Sequence, residues 1–116
     1  MIFHIAVCGP DAGLRSGLER QCMEYFARRE DACIVQQLAD PEQLLRREAD
    51  AERIDLYLIE LSAVADPAGL RAAAELRRRG RKAPIAFIAR TPAHAYSAFR
   101  VDAMQYLHIP FRPEQL

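Results

Sequence analysis

The side chains able to do chemistry are few and thinly spread along the chain. Three cysteines, Cys8, Cys22 and Cys33, make an odd number without a CxxC spacing, so neither a disulfide framework nor a zinc site is indicated. Cys8 and Cys22 fall on apolar positions, where a thiol serves as a small core residue. The histidines His4, His94 and His108 share no ligand spacing and have no companion cysteine, so no metal site is expected. Lys82 is the only lysine among 16 basic residues, which leaves almost no candidate for lysine chemistry. Gly9-Pro10 lacks the further glycines of a phosphate-cradling loop. Arg77-Arg78-Arg79-Gly80-Arg81-Lys82 is the one dense basic run, and it admits a nucleic-acid reading. It also sits at the end of a helical stretch, where cations favour the helix dipole, and it carries no interleaved aromatics. The solvated helix end is the better reading. Of the 16 acids, Asp11 lies just beyond one strand-like run and Glu60 near the end of another.

The elements that must position them alternate regularly. Ile2 to Cys8 is nearly continuous apolar sequence closed by Gly9-Pro10, as suits a strand buried on both faces. Leu14, Leu18, Cys22, Tyr25 and Phe26 recur at helical spacing behind an Asp11 N-cap. Ala32 to Leu38 is a second strand, and Asp40-Pro41-Glu42-Gln43 opens a second helix with a cap, a first-turn proline and a capping-box glutamine. Ile54 to Leu61 is a third strand. A helix over Pro67 to Arg79 follows, stopped by Gly80. Pro84 to Ala89 forms a fourth strand, Thr91-Pro92 opens a fourth helix, and Met104 to Ile109 forms a fifth strand. Arg112-Pro113-Glu114 begins one more helix, which breaks off within its first turn at Leu116. The expected fold is α/β: a doubly wound, five-stranded parallel sheet of flavodoxin-like type with a truncated last helix. In such a fold, function gathers at the carboxyl ends of the strands. Those ends are Gly9-Pro10-Asp11, Glu60-Leu61, Ala89-Arg90 and His108-Ile109-Pro110.

Composition narrows the field further. The 116 residues make one domain, long enough to bury roughly two-thirds of its unfolded surface. Sixteen acids balance the 16 basic residues, which argues against a free-standing nucleic-acid or anionic-membrane binder. No apolar run approaches the ~20 residues of a membrane span, and Met1 to Val7 has no charged leader, so a cytoplasmic location is expected.

At those strand ends the chain resembles the receiver domain of bacterial two-component response regulators, especially the type attached to LytTR DNA-binding domains. The likeness rests on Ile5-Ala6-Val7-Cys8, on Ile54 to Leu61, on Phe87 through Phe99, and on Asp102 through Phe111. Its most specific element is the Tyr106-Leu107-His108-Ile109-Pro110-Phe111 ending. The resemblance implies a phosphoryl-accepting signalling domain spanning residues 1–116, with two acids holding Mg²⁺, an aspartate nucleophile, a hydroxyl and a lysine. Mapped onto this chain, the acid pair falls on Gly9 and Pro10, with Asp11 following as a helix cap. The phosphoacceptor falls on Glu60, the hydroxyl on Ala89 and the lysine on Ile109. Lys82 lies at the opposite end of the sheet and cannot substitute.

The resemblance therefore implies a degenerate pseudo-receiver, not an enzyme, with Mg²⁺ binding lost and no cofactor. Glu60 then has two readings. It is a permanent stand-in for phosphoaspartate, or an acid neutralised by a bidentate fork from Arg90. The second is favoured because an unpaired, partly buried carboxylate is costly. His108, beside the same pocket, is a further hydrogen-bond candidate for Glu60. Tyr106 falls on the aromatic switch position of receivers, either as a half-buried edge tyrosine or held inward by the space Ala89 leaves. Tyr96, Phe99 and Tyr106 mark the face of the fourth helix, fifth strand and final helix, through which a homodimer is expected. A DNA-binding effector domain beyond Leu116 would complete a transcription regulator. The Ile109-Pro110 peptide is expected to be cis, as is common in that family. Two alternatives stay open: unconventional phosphorylation on Glu60, and a small-ligand sensor using the vacated strand-end crevice.

Overall fold

A computed structural model describes residues 1–48, 53–61, 68–89 and 105–108. Its elements run β1 (Ile2–Cys8), α1 (Ala12–Arg28), β2 (Ala32–Leu38), α2 (Pro41–Glu48), β3 (Leu56–Leu61), α3 (Ala68–Arg78), β4 (Ile85–Ala89) and β5 (Gln105–His108). The five strands form one parallel sheet in the order β2-β1-β3-β4-β5. The chain moves outward from β1 to β2, then crosses back over β1 to β3 and continues the other way. Strand order thus reverses at β1/β3, where a doubly wound sheet opens its crevice.

Side-chain alternation along the strands builds two cores. Ile5, Val7, Leu58, Ala86 and Ile88 face α1, which contributes Leu18 and Cys22. Ala6, Cys8, Tyr57, Ile59, Ile85, Phe87 and Ala89 face the other way, against Leu44 of α2 and Ala73 and Leu76 of α3. The helix α3 sits low on the sheet because its first turn carries Gly69. A Cβ there would come within 2.8 Å of Leu61 Cδ2 and 2.9 Å of Ile59 Cγ2. Ala72 and Ala73 continue this close contact, both buried.

Several boundaries differ from the sequence expectation for identifiable reasons. The strand β3 starts at Leu56, not Ile54, because the Asp55 side chain takes part in the bonding to β1. Its Oδ2 accepts the His4 N–H (2.9 Å), while Asp55 N–H donates to the His4 carbonyl (2.7 Å). Likewise β4 starts after Pro84, which has no N–H to give and offers only its carbonyl, to Tyr57 N–H (2.9 Å). Tyr25 was expected on the buried side of α1 but is 41% exposed. The buried stripe runs Leu14, Leu18, Cys22, Phe26 at a four-residue step that drifts about 40° each time, so that by the last turn it has moved to Phe26, about 100° round the helix from Tyr25. Instead it meets Phe26 edge-on and lies under the Arg29 guanidinium, 3.6 Å from the ring centre.

The basic run ends α3. Gly80 takes φ 82°, and Gly80 and Arg81 N–H groups bond back to the carbonyls of Arg77 and Leu76. Arg77 Nη1 donates to the carbonyls of Arg81 (2.9 Å) and Ala83 (2.8 Å), tying the turn to the entry of β4. Arg78 and Arg79 both bond Glu75, and Arg79 also reaches the Leu45 carbonyl (3.1 Å). These bonds, Arg78's ahead of Arg79's, hold the Glu75 carboxyl below its usual range. The expected fourth and final helices, with the Ile109-Pro110 peptide, lie outside the described residues.

Candidate functional site

At the switch point, β1 gives way to Gly9-Pro10-Asp11 and β3 ends with Glu60-Leu61. Asp11 is the N-cap of α1. Its backbone is extended (φ −86°, ψ 104°) and Oδ1 accepts the Leu14 N–H at 3.1 Å. Gly9 is pinned on both sides, its N–H bonded to the Leu38 carbonyl (3.0 Å) and its carbonyl to Arg15 Nη1. Arg15 is itself oriented by Gln37 Oε1 (3.2 Å), and Gln37 by Glu19 (3.1 Å).

Glu60, half-buried, turns its side chain across this loop. Its Oε1 accepts the backbone N–H of Asp11 at 3.3 Å. A Cβ placed on Gly9 would come within 2.6 Å of Glu60 Cβ, and closer still to Oε1. Gly9 does not take a positive φ, so its need for glycine is one of space alone. The extra methylene of a glutamate at the end of β3 and the missing side chain at the end of β1 fit each other. Two strand ends that are neighbours only through the parallel sheet are interlocked.

Behind the loop, Cys8 is 2% exposed and its thiol is pushed up to about 12. Burial is the main cause; Asp40 and Glu60 add to it and Arg15 opposes it. The thiol stays protonated and unreactive at neutral pH.

The other residues singled out in the sequence distribute as follows. Pro10 is exposed, and Ala89 is fully buried at the end of β4, in register with Leu61 and His108. Tyr106 lies on β5 opposite Phe87. Arg90, Ile109, Tyr96 and Phe99 lie outside the described residues, as does the pairing of Arg90 with Glu60. The partner the structure does give Glu60, the Asp11 N–H, has no signature in sequence. The Arg15–Gln37–Glu19 chain behind it was also missed, since nothing local marks those three residues as neighbours.

Among the described residues the donor set does not suit a magnesium ion. Gly9 and Pro10 bring no carboxylate, while Asp11 and Glu60 each already accept a backbone N–H. Mg²⁺ demands near-octahedral oxygen ligation, and this loop does not supply it. Among the described residues no group of three or more His, Cys, Asp and Glu side chains is placed to hold a metal.

The cap can be tested directly. Asp11→Ala is expected to lower stability by about 0.5–2 kcal/mol, read as a shift in the urea midpoint at constant slope. A loss confined to the first turn of α1 would show as faster amide exchange at Leu14.

Known structures share this fold. The receiver domain of an HD domain-containing protein from Pseudomonas fluorescens superposes with a TM-score of 0.80, covering 99% of this chain and 88% of that one at 13% identity. The chain has the receiver fold. The response regulator TrrA of Thermotoga maritima, in complex with Mg²⁺ and BeF, matches with a TM-score of 0.78 at 17% identity, covering 97% of this chain and 91% of that one. CheY4 of Vibrio cholerae matches with 0.78 and 17% identity, covering 98% and 92%. No family model matches the chain, and no curated protein does. Among the described residues no helix is long and apolar enough to cross a membrane.

Proposed function

We propose that this chain is a regulatory, receiver-like domain of two-component type that signals through protein contacts and is not phosphorylated. One observation carries the reading: the Glu60 side chain lies over Gly9 and bonds Asp11 N–H, in the space where receiver chemistry needs acids and a metal. Receiver chemistry requires the loop after β1 to supply free carboxylate oxygens and the end of β3 to present an accessible nucleophile. Here the nucleophile's place is taken by an acid already engaged as an acceptor. The missing hydroxyl at Ala89, buried at the end of β4, supports the same reading.

In this proposal the domain is a non-enzymatic, cytoplasmic module of a bacterial response regulator. It self-associates through the face containing Tyr96, Phe99 and Tyr106 and controls a DNA-binding domain beyond Leu116, of the LytTR kind. It needs no Mg²⁺. The test is a titration with beryllofluoride and Mg²⁺, and separately with acetyl phosphate, followed by amide chemical shifts. No perturbation at Gly9, Asp11, Glu60 or Ala89 is expected. A saturable shift at those four residues would sink the reading in favour of phosphorylation on Glu60.

A further inference from the structure

The strand β2 is an edge of the sheet, and it is an unguarded one. No described residue bonds to the outward-facing main-chain groups of its seven residues. Natural edge strands are blunted by charge, proline, bulges or covering elements. Ala32-Cys33-Ile34-Val35-Gln36-Gln37-Leu38 has no charged residue, no proline and no glycine, and Cys33-Ile34-Val35 is strongly β-forming. The helix α2 is only eight residues long and covers the carboxyl end of β2, where Leu38 is buried. At the amino end, Ile34 is left 53% exposed and Ile2, on the same face of β1, 57% exposed.

We propose that this edge is a self-association surface on which two copies pair their β2 strands antiparallel, about a two-fold axis at Ile34. The occupant is a second copy because the strand is self-complementary. Centred on Ile34, Cys33 meets Val35 of the other copy, Ala32 meets Gln36 and Asp31 meets Gln37, so no like charges face each other. A one-residue shift to Val35 would bring Asp40 toward Glu30 of the other copy, which disfavours it. The paired register buries Ile34 against its own symmetry mate, and the two sheets become continuous. This surface lies at the opposite sheet edge from β5, so it stands or falls apart from the strand-end reading above.

Sedimentation of the full chain over a concentration series tests it. In a Tyr106→Asp chain, which disables the β5 face proposed above, a monomer–dimer equilibrium is expected, weakened at least tenfold by Ile34→Lys with the far-UV spectrum unchanged. Ile34→Cys should give a covalent dimer on mild oxidation, because directly opposed antiparallel residues have the Cα spacing a disulfide needs. The unmodified chain, whose cysteines are all buried, should stay uncrosslinked under the same treatment. A chain that remains monomeric throughout overturns the proposal. So does a dimer of the Tyr106→Asp chain that Ile34→Lys leaves intact.

Discussion

Gly9→Asp, the substitution that puts back an acid at the end of β1, is expected to destabilise the domain by about 2–3 kcal/mol. The new Cβ has no room, because Glu60 Cβ would be 2.6 Å away, and that atom is fixed by the β3 backbone. The added carboxylate would also face that of Glu60, whose Oε1 is already committed to Asp11 N–H. Gly9→Ala isolates the steric part. Glu60→Gly removes the hydrogen bond to Asp11 N–H, worth about 0.5–1.5 kcal/mol, and with it the Cβ that a side chain at position 9 would meet. The double variant Gly9→Ala/Glu60→Gly should then cost little more than Glu60→Gly by itself. Urea denaturation of the four chains gives the cycle, with an expected coupling of about 1–2 kcal/mol. Simple additivity would mean that Glu60 does not occupy the space above Gly9. The consequence for function is direct. On the proposed function, receiver chemistry would not return with one substitution, because an acid at position 9 meets the Cβ of Glu60 as well as its carboxylate.

That coupling shows where sequence reasoning reaches its limit. The N-cap at Asp11, the first-turn proline at Pro41 and the stop at Gly80 were legible because each signal and its consequence lie within one turn of chain. The two-faced core was legible because parallel strands buried on both sides read as continuous apolar runs such as Ile5-Ala6-Val7-Cys8. The bond from Asp11 to Glu60 joins residues 49 apart and depends on the register of β1 against β3. Types and spacing pointed to both residues but not to their contact. The same holds for Arg77, whose place in a basic run is visible, while its bonds to the carbonyls of Arg81 and Ala83 require the Gly80 turn to exist first. Tyr25 failed for a different reason: helical spacing tolerates an adjacent aromatic on either flank of the buried stripe. Only the sheet beneath decides that Phe26 goes in, stacked on Phe3 with ring centres 4.8 Å apart.

Phe87→Ala tests the frame that holds the strand ends in place, and it should cost about 3–5 kcal/mol. Phe87 is wholly buried in the middle of β4, with Ile59 in register on one side and Tyr106 on the other. It belongs to the core under α2 and α3, where Ala73 and Leu76 are also fully buried. Small residues line α3 because the helix sits close to the sheet, so its backbone has little freedom to sink into the space a lost ring would leave. The cost therefore comes near the upper part of the range for such truncations, a large share of the roughly 5–15 kcal/mol that holds a domain of this size. Phe87→Leu keeps most of the volume and should cost less than half as much. In contrast to Gly9→Asp, neither change touches the Glu60–Asp11 bond, which belongs to the opposite face of the sheet. Amide exchange should thus quicken across β3, β4 and α3 in Phe87→Ala, while the Asp11 amide keeps its chemical shift. If the Asp11 resonance moved with the core, the strand-end interlock would be a product of packing under α3. The fit between Gly9 and Glu60 would then no longer suffice to explain it.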